Sequence, residues 1–121
     1  MREFTFKMPL NDNNDLPMVK LHNRYKAQLC ALFGGLSVTL GHGMWVNEDN
    51  KLFDEEVATY TIACEADKLD LAQTLAEDFG RAAKQEAIYI NRDGKVSIYD
   101  IKPDETFLGW QRNHDADLKI A

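Results

Sequence analysis

The feature that most constrains this chain is a repeated switch in the spacing of its apolar residues. In residues 2–8, REFTFKM, every second side chain is apolar: Phe4, Phe6 and Met8 point one way, Thr5 and Lys7 the other. That is the pattern of a half-buried strand. After the polar turn NDNND the spacing lengthens to three and four residues, through Met18, His22, Tyr25, Leu29, Leu32 and Phe33. This predicts an amphipathic helix with Pro17 in its first turn, stopped by Gly34 and Gly35. His22, alone on that stripe, reads as a packed, hydrogen-bonded histidine rather than a ligand.

The two-residue spacing returns in GGLSVTLGHGMW, residues 34–45, where Leu36, Val38 and Leu40 alternate with Ser37, Thr39 and Gly41. NEDN makes a turn, and KLFDEEVATYTIAC (51–64) comes back as a third strand with Ala58, Tyr60, Ile62 and Cys64 on one face. Residues 65–84 carry Leu69, Ala72, Leu75, Phe79 and Ala82 at helical steps, with Asp67 and Asp70 near the positive end. QEAIYIN (85–91) is a fourth strand, NRDG a hairpin turn and KVSIYDI (95–101) a fifth strand.

The order β-α-β-β-α-β plus a C-terminal strand predicts an α+β, ferredoxin-like domain over residues 1–101: an antiparallel sheet with both helices on one face. The other face is left bare, and such domains often hide it by associating, so an oligomer is expected. Residues 102–121 read as a C-terminal tail, polar around Phe107, Leu108 and Trp110; the tryptophan is expected to dock on a neighbouring subunit or to cap the core.

Composition removes several classes of function. A net charge of −6 and a pI near 5.0 disfavour nucleic acid as a partner, because that affinity comes from Lys and Arg on phosphates. A cationic small molecule is compatible. Cys30 and Cys64 lack metal-ligand company, and His22, His42 and His114 are scattered, so no metal is expected and both cysteines read as small buried apolar residues. No apolar run approaches the ~18 residues of a spanning helix, and MREFTFKMPL lacks the apolar core of a signal peptide. A cytoplasmic protein with reduced thiols, and no membrane partner, is the expectation.

No standard catalytic signature is present: no G-x-S-x-G, H-E-x-x-H, Walker loop or G-x-G-x-x-G. The unusual stretch is Gly41-His42-Gly43 with Trp45 close behind. Glycine within a strand marks a bulge or the close approach of another backbone or a ligand. Glu55 and Glu56 open the returning strand, so with NEDN at the tip, His42, Trp45 and Glu55 fall within a few positions of one another. Gln85 and Glu86 precede an apolar strand where the second helix ends, and one of the two is expected to be buried on the helix side, where it needs a partner. The plainer alternatives are solvated strand starts for Glu56 and Glu86, hairpin packing for Trp45 and a turn role for His42.

GLSVTLGHGMWVNEDNKLFDEEVATYTIAC, a helix and KQEAIYI resemble a pattern of small bacterial and phage proteins. The pattern runs Gly-[aromatic]-Gly-x-Trp, a polar turn, a Glu, an aliphatic strand, a helix, and Gln-Glu ahead of an apolar strand. The layout resembles the phage-encoded S-adenosylmethionine lyases, trimers with a PII-like version of this fold. The resemblance, over roughly residues 30–90, implies cleavage of S-adenosylmethionine to 5′-methylthioadenosine and homoserine lactone, at sites between subunits, in a phage anti-restriction role. Glu55 matches the pattern's Glu, Trp45 its Trp, and Gln85-Glu86 its Gln-Glu pair, while His42 stands where Tyr is common. The implied roles are Glu55 and His42 in catalysis, and Trp45, Gln85, Glu86, Gly41 and Gly43 in substrate binding, in a homotrimer needing no cofactor. Two other readings stay open: a PII-like or signal-sequestering protein that binds a nucleotide-like ligand without turnover, and an acidic inhibitor of a nucleic-acid-binding protein.

Overall fold

The computed structural model describes residues 1–101; the tail expected from 102 onward, with Trp110, lies outside the described residues. Five strands and two helices follow the order read from the sequence: β1 (Arg2–Pro9), α1 (Val19–Phe33), β2 (Ser37–Val46), β3 (Leu52–Cys64), α2 (Leu69–Ala82), β4 (Ala87–Arg92) and β5 (Lys95–Asp100), with a 3-10 turn at Ala66–Lys68 before α2. The sheet order is β2-β3-β1-β4-β5, and every neighbouring pair is antiparallel. This is the ferredoxin-like α+β arrangement, with β5 added beside β4.

Strand alternation builds the core. Phe4, Phe6 and Met8 of β1 lie opposite Ile62, Tyr60 and Ala58 of β3, and all six are fully or almost fully buried. Phe79 of α2 stacks on Tyr25 of α1 at 4.4 Å and meets Phe6 edge-on at 6.1 Å, and Phe6 stacks on Tyr60 at 4.9 Å. His22 is the buried polar residue of this cluster, as its place on the stripe predicts. Its Nε2–H donates to the Pro9 carbonyl at 2.8 Å, and its Nδ1 pairs with the Tyr60 hydroxyl. Burial drives the phenol of Tyr60 up and the imidazole of His22 down, so both stay neutral: the phenol donates and the ring accepts.

The boundaries moved where backbone bonds outweigh side-chain pattern. Pro17 is not in α1. It bridges Asn11, and Met18 N–H donates to Leu10 O, so residues 11–18 close as a loop ahead of the helix. Leu32, expected on the inner stripe, is 45% exposed in the last turn of α1, where Phe33 packs against the core. Cys64 is buried as expected; Cys30, next to Leu29 on the outward side, is exposed. The NRDG turn is a two-residue loop between Arg92 and Lys95, with Asp93 and Gly94 both at positive φ.

The end of α2 explains another shift. Lys84 N–H donates to Arg81 O, Gln85 N–H donates to Gly80 O, and Lys84 takes a left-handed φ of 57°. That is a Schellman closure with a lysine where glycine is usual. It closes the helix end at Lys84, and the regular strand starts at Ala87, with the Glu86 carbonyl accepting the Ile101 N–H at 2.8 Å just before it.

Candidate functional site

β1 ends where Pro9 pairs with Val57. Beyond that point β2 and β3 run on alone, from Gly41 opposite Val57 to Val46 opposite Leu52, as a two-stranded ribbon with no third strand beside it. Paired residues share a face and successive ones alternate. The helix-free face of the ribbon therefore carries Gly41 with Val57, Gly43 with Glu55, and Trp45 with Phe53. The helix-side face carries His42 with Glu56, Met44 with Asp54, and Val46 with Leu52.

The sequence expectation of one cluster thus divides. Trp45 and Glu55 come together: with Gly43 opposite Glu55 and Trp45 opposite Phe53, they are diagonal neighbours on one face. The two glycines share their face. The missing Cβ of Gly43 would stand 3.3 Å from Val57 Cγ1, and nothing lies within 4 Å of that of Gly41, so the floor beside the indole is backbone and one valine. Phe53, unremarked in the sequence, stacks on Trp45 at 4.4 Å with the rings 11° from parallel. It takes one face of the indole, which is still 51% exposed. The signal was available: with the turn centred on residues 47–51, parity alone places Phe53 opposite Trp45.

His42 does not join them. Three residues from Trp45 in a strand, it lies on the opposite face, where its Nδ1 meets Asp54 Oδ1 at 3.1 Å, both groups exposed. The expectation that it lines the same opening as Trp45 is corrected by strand parity.

Glu55 keeps contact with solvent, yet neighbouring ribbon side chains displace enough water to push its carboxyl above the ordinary range. The Trp45 hydrogen bond acts the other way and pulls it down.

Gln85 and Glu86 stand at the same end of the sheet, since β4 begins beside the end of β1. β1 separates β4 from β3, so the two strand lines are roughly 10 Å apart at ~4.8 Å per step. Neither residue is buried, contrary to expectation: Gln85 is half-buried, with its amide donating to Ala83 O at 3.2 Å, and Glu86 is exposed. The Schellman closure ties Gln85 N–H back to Gly80 O, and Glu86 sits at the margin of the sheet with its carbonyl on Ile101 N–H.

Among the described residues no group of three or more His, Cys, Asp or Glu side chains is placed to hold a metal ion, and no helix is long and apolar enough to cross a membrane.

The sheet order and the two helices on one face define the class, an α+β ferredoxin-like domain. No protein-family model and no curated protein matches the chain. Solved structures do. A phage SAM lyase in complex with S-methyl-5′-thioadenosine superposes with a TM-score of 0.57 at 18% identity, over 85% of this chain and 90% of that one. A phage SAM lyase in the apo state gives 0.57 at 16% identity, over 84% and 89%. CutA1 from Pyrococcus horikoshii OT3, in a variant form, gives 0.51 at 10% identity, over 93% and 96%, and fits the PII-like version of the fold. The resemblance read from the sequence is matched by these neighbours, and at such identities what it shows is the fold.

Proposed function

We propose that the chain binds S-adenosylmethionine on the helix-free face of the β2–β3 ribbon and cleaves it to 5′-methylthioadenosine and homoserine lactone. The observation that carries this reading is the pairing register, which sets the Glu55 carboxylate on the same face as an exposed indole, Trp45. The open indole face suits adenine, or the sulfonium by cation–π attraction. Glu55 suits the α-ammonium group. Gly41 and Gly43 leave room for a flat ligand to approach the backbone.

The chemistry asks for conformation more than for reactive groups. The substrate's carboxylate oxygen bonds to its own γ-carbon, the carbon–sulfur bond breaks, and the electron pair neutralises the sulfonium. No proton moves in that step and no water attacks. Both reacting groups belong to one molecule, so holding the folded conformer supplies much of the acceleration. Glu55 would hold it by the ammonium, through a charge-assisted bond about twice as strong as a neutral one. His42 has no step here, being on the other face and engaged with Asp54. Gln85 and Glu86 would serve the same ligand from another copy of the chain, in a homotrimer with shared sites and in the phage anti-restriction role the resemblance implies.

The absence of His42 from the indole face favours a second reading, binding without turnover. Glu55 is then the one carboxylate among the ribbon residues of that face, with the Lys51 ammonium over the Phe53 ring at 5.2 Å. Incubation with S-adenosylmethionine followed by chromatography separates the two. Methylthioadenosine and homoserine lactone in equal amounts support the lyase. Calorimetric binding with neither product after hours replaces it by the binding protein.

A further inference from the structure

The ribbon and its root expose a row of apolar side chains. Leu40, Met44, Val46 and Leu52, all on the helix-side face, are each more than half exposed, and Trp45 is 51% exposed on the other face. A two-stranded ribbon is marginal in water by itself, and contiguous apolar patches mark interaction sites. Its tip is also acidic: residues 47–56 hold Glu48, Asp49, Asp54, Glu55 and Glu56 against one cation, Lys51. What covers it must be apolar and basic.

The helix side of the same chain offers such a surface. A cleft of about 600 Å³ lies between the loop before α1 and the end of α2. Pro17, Met18, Val19, Leu21, Ala82 and Ala83 supply apolar wall, and Lys20 and Lys84 stand on its lining. Val19, and Leu16 in the adjoining loop, are each 60% exposed. Neither lysine takes part in a salt bridge among the described residues. α1 itself carries Lys20, Arg24 and Lys26 and no acid. The cleft's carboxylate, Asp12, already accepts backbone N–H bonds from Asn14 and Leu16 at 2.8 and 2.9 Å. The chain cannot fill its own cleft with its own ribbon, because Leu10 N–H, bonded to Glu56 O, ties the ribbon root to the far side of β1.

We propose that the β2–β3 ribbon of one copy seats in the α1–α2 cleft of a second copy, its acidic tip on Lys20 and Lys84 and its Val46–Leu52 end against the apolar wall. The seat adjoins Gln85 and Glu86, the next residues after Lys84, so docking carries Trp45 and Glu55 of one copy toward that pair on the other. In that consequence the inference rests on the functional reading above; the contact itself does not.

The test is assembly, read without substrate. Lys20→Glu with Lys84→Glu reverses the seat, and glutamate is at home in the first turn of a helix, so α1 stays formed. Sedimentation should show self-association weakened at least tenfold. Adding Glu48→Lys and Asp49→Lys should restore it. Independently, Asp49→Cys with Lys84→Cys, in a Cys30→Ser background, should give disulfide-linked oligomers on mild oxidation, well beyond either cysteine alone. Unchanged sedimentation after the charge reversal, or cross-linking no greater than that of the single cysteines, overturns the docking. Linked oligomers that fail to cleave S-adenosylmethionine would leave the docking standing and remove the lyase.

Discussion

Two aromatic clusters in this chain each hold an ionisable side chain against rings, and they treat it in opposite ways. In the core, His22 lies among Tyr60, Phe79 and Tyr25 with both ring nitrogens occupied, one by the Pro9 carbonyl and one by a phenol. On the ribbon, Glu55 shares its face with the Trp45 indole, which is stacked on one side only. The first cluster has no capacity left for a ligand. The second keeps an open ring face and a carboxylate oxygen. Satisfied polarity inside a fold specifies packing, whereas partly satisfied polarity at its margin is available for recognition.

The comparison breaks most readily in the core. Phe79→Ala removes the ring that Tyr25, His22, Phe6 and Tyr60 all touch. It should cost about 3–5 kcal/mol in calorimetric unfolding, while Phe53→Ala on the ribbon should stay near the ~0.5–1.5 kcal/mol of an aromatic pair. Equal losses would erase the distinction between the clusters.

Glu55→Gln reverses the pattern. Turnover should fall on the order of a hundredfold, about 2.7 kcal/mol in barrier, with the melting temperature unmoved and methylthioadenosine, which has no amino-acid end, still bound. Steady-state kinetics beside a thermal melt checks both halves.

Tyr60→Phe leaves His22 Nδ1 buried without a donor and should cost about 1–3 kcal/mol. His22 also sets a pH dependence. Unfolded, it titrates near 6.5; folded, burial holds it lower. The unfolded state then binds the extra proton, so stability is fully present above 6.5 and is lost as pH falls toward the folded value. Urea titrations should show the wild-type advantage over His22→Gln shrinking through that window; a constant advantage would mean the imidazole is not held neutral.

The smallest effect sharpens the ribbon. Trp45 holds the Glu55 carboxyl down, so Trp45→Phe keeps an aromatic face but lets that pKa rise. Turnover that needs the ionised carboxylate should then have its acid limb moved to higher pH. A profile that does not move would assign the indole to stacking alone.

Much of this was legible where one physical rule dominates. The alternation of Phe4, Phe6 and Met8, the α2 stripe to Phe79, and Asp93-Gly94 as a tight turn each express local pattern directly. Pro17 misled because backbone bonds from Leu10 and Asn11 outrank its preference for a first helical turn. Lys84 gave no warning of a left-handed closure, since that signal is normally a glycine, and the fate of Gln85 and Glu86 hangs on it. In the candidate site, closeness along a hairpin is not closeness in space. His42 and Trp45 are near in number, but an odd spacing in a strand sends them to opposite faces.

The exposed ribbon also has a consequence for the history of each molecule. A newly made chain presents bare β2, an edge strand rich in apolar side chains, before any partner covers it, and that is a template for adhesion between copies. The five carboxylates of residues 47–56 surround the hazard. Two such tips repel each other, so edge-to-edge pairing of ribbons is discouraged while approach to a basic surface is not. The acids at the hairpin act as gatekeepers during synthesis and crowding, a task separate from anything they do for a ligand. Neutralising Glu48 and Asp49 would show up first as lost yield and visible aggregation.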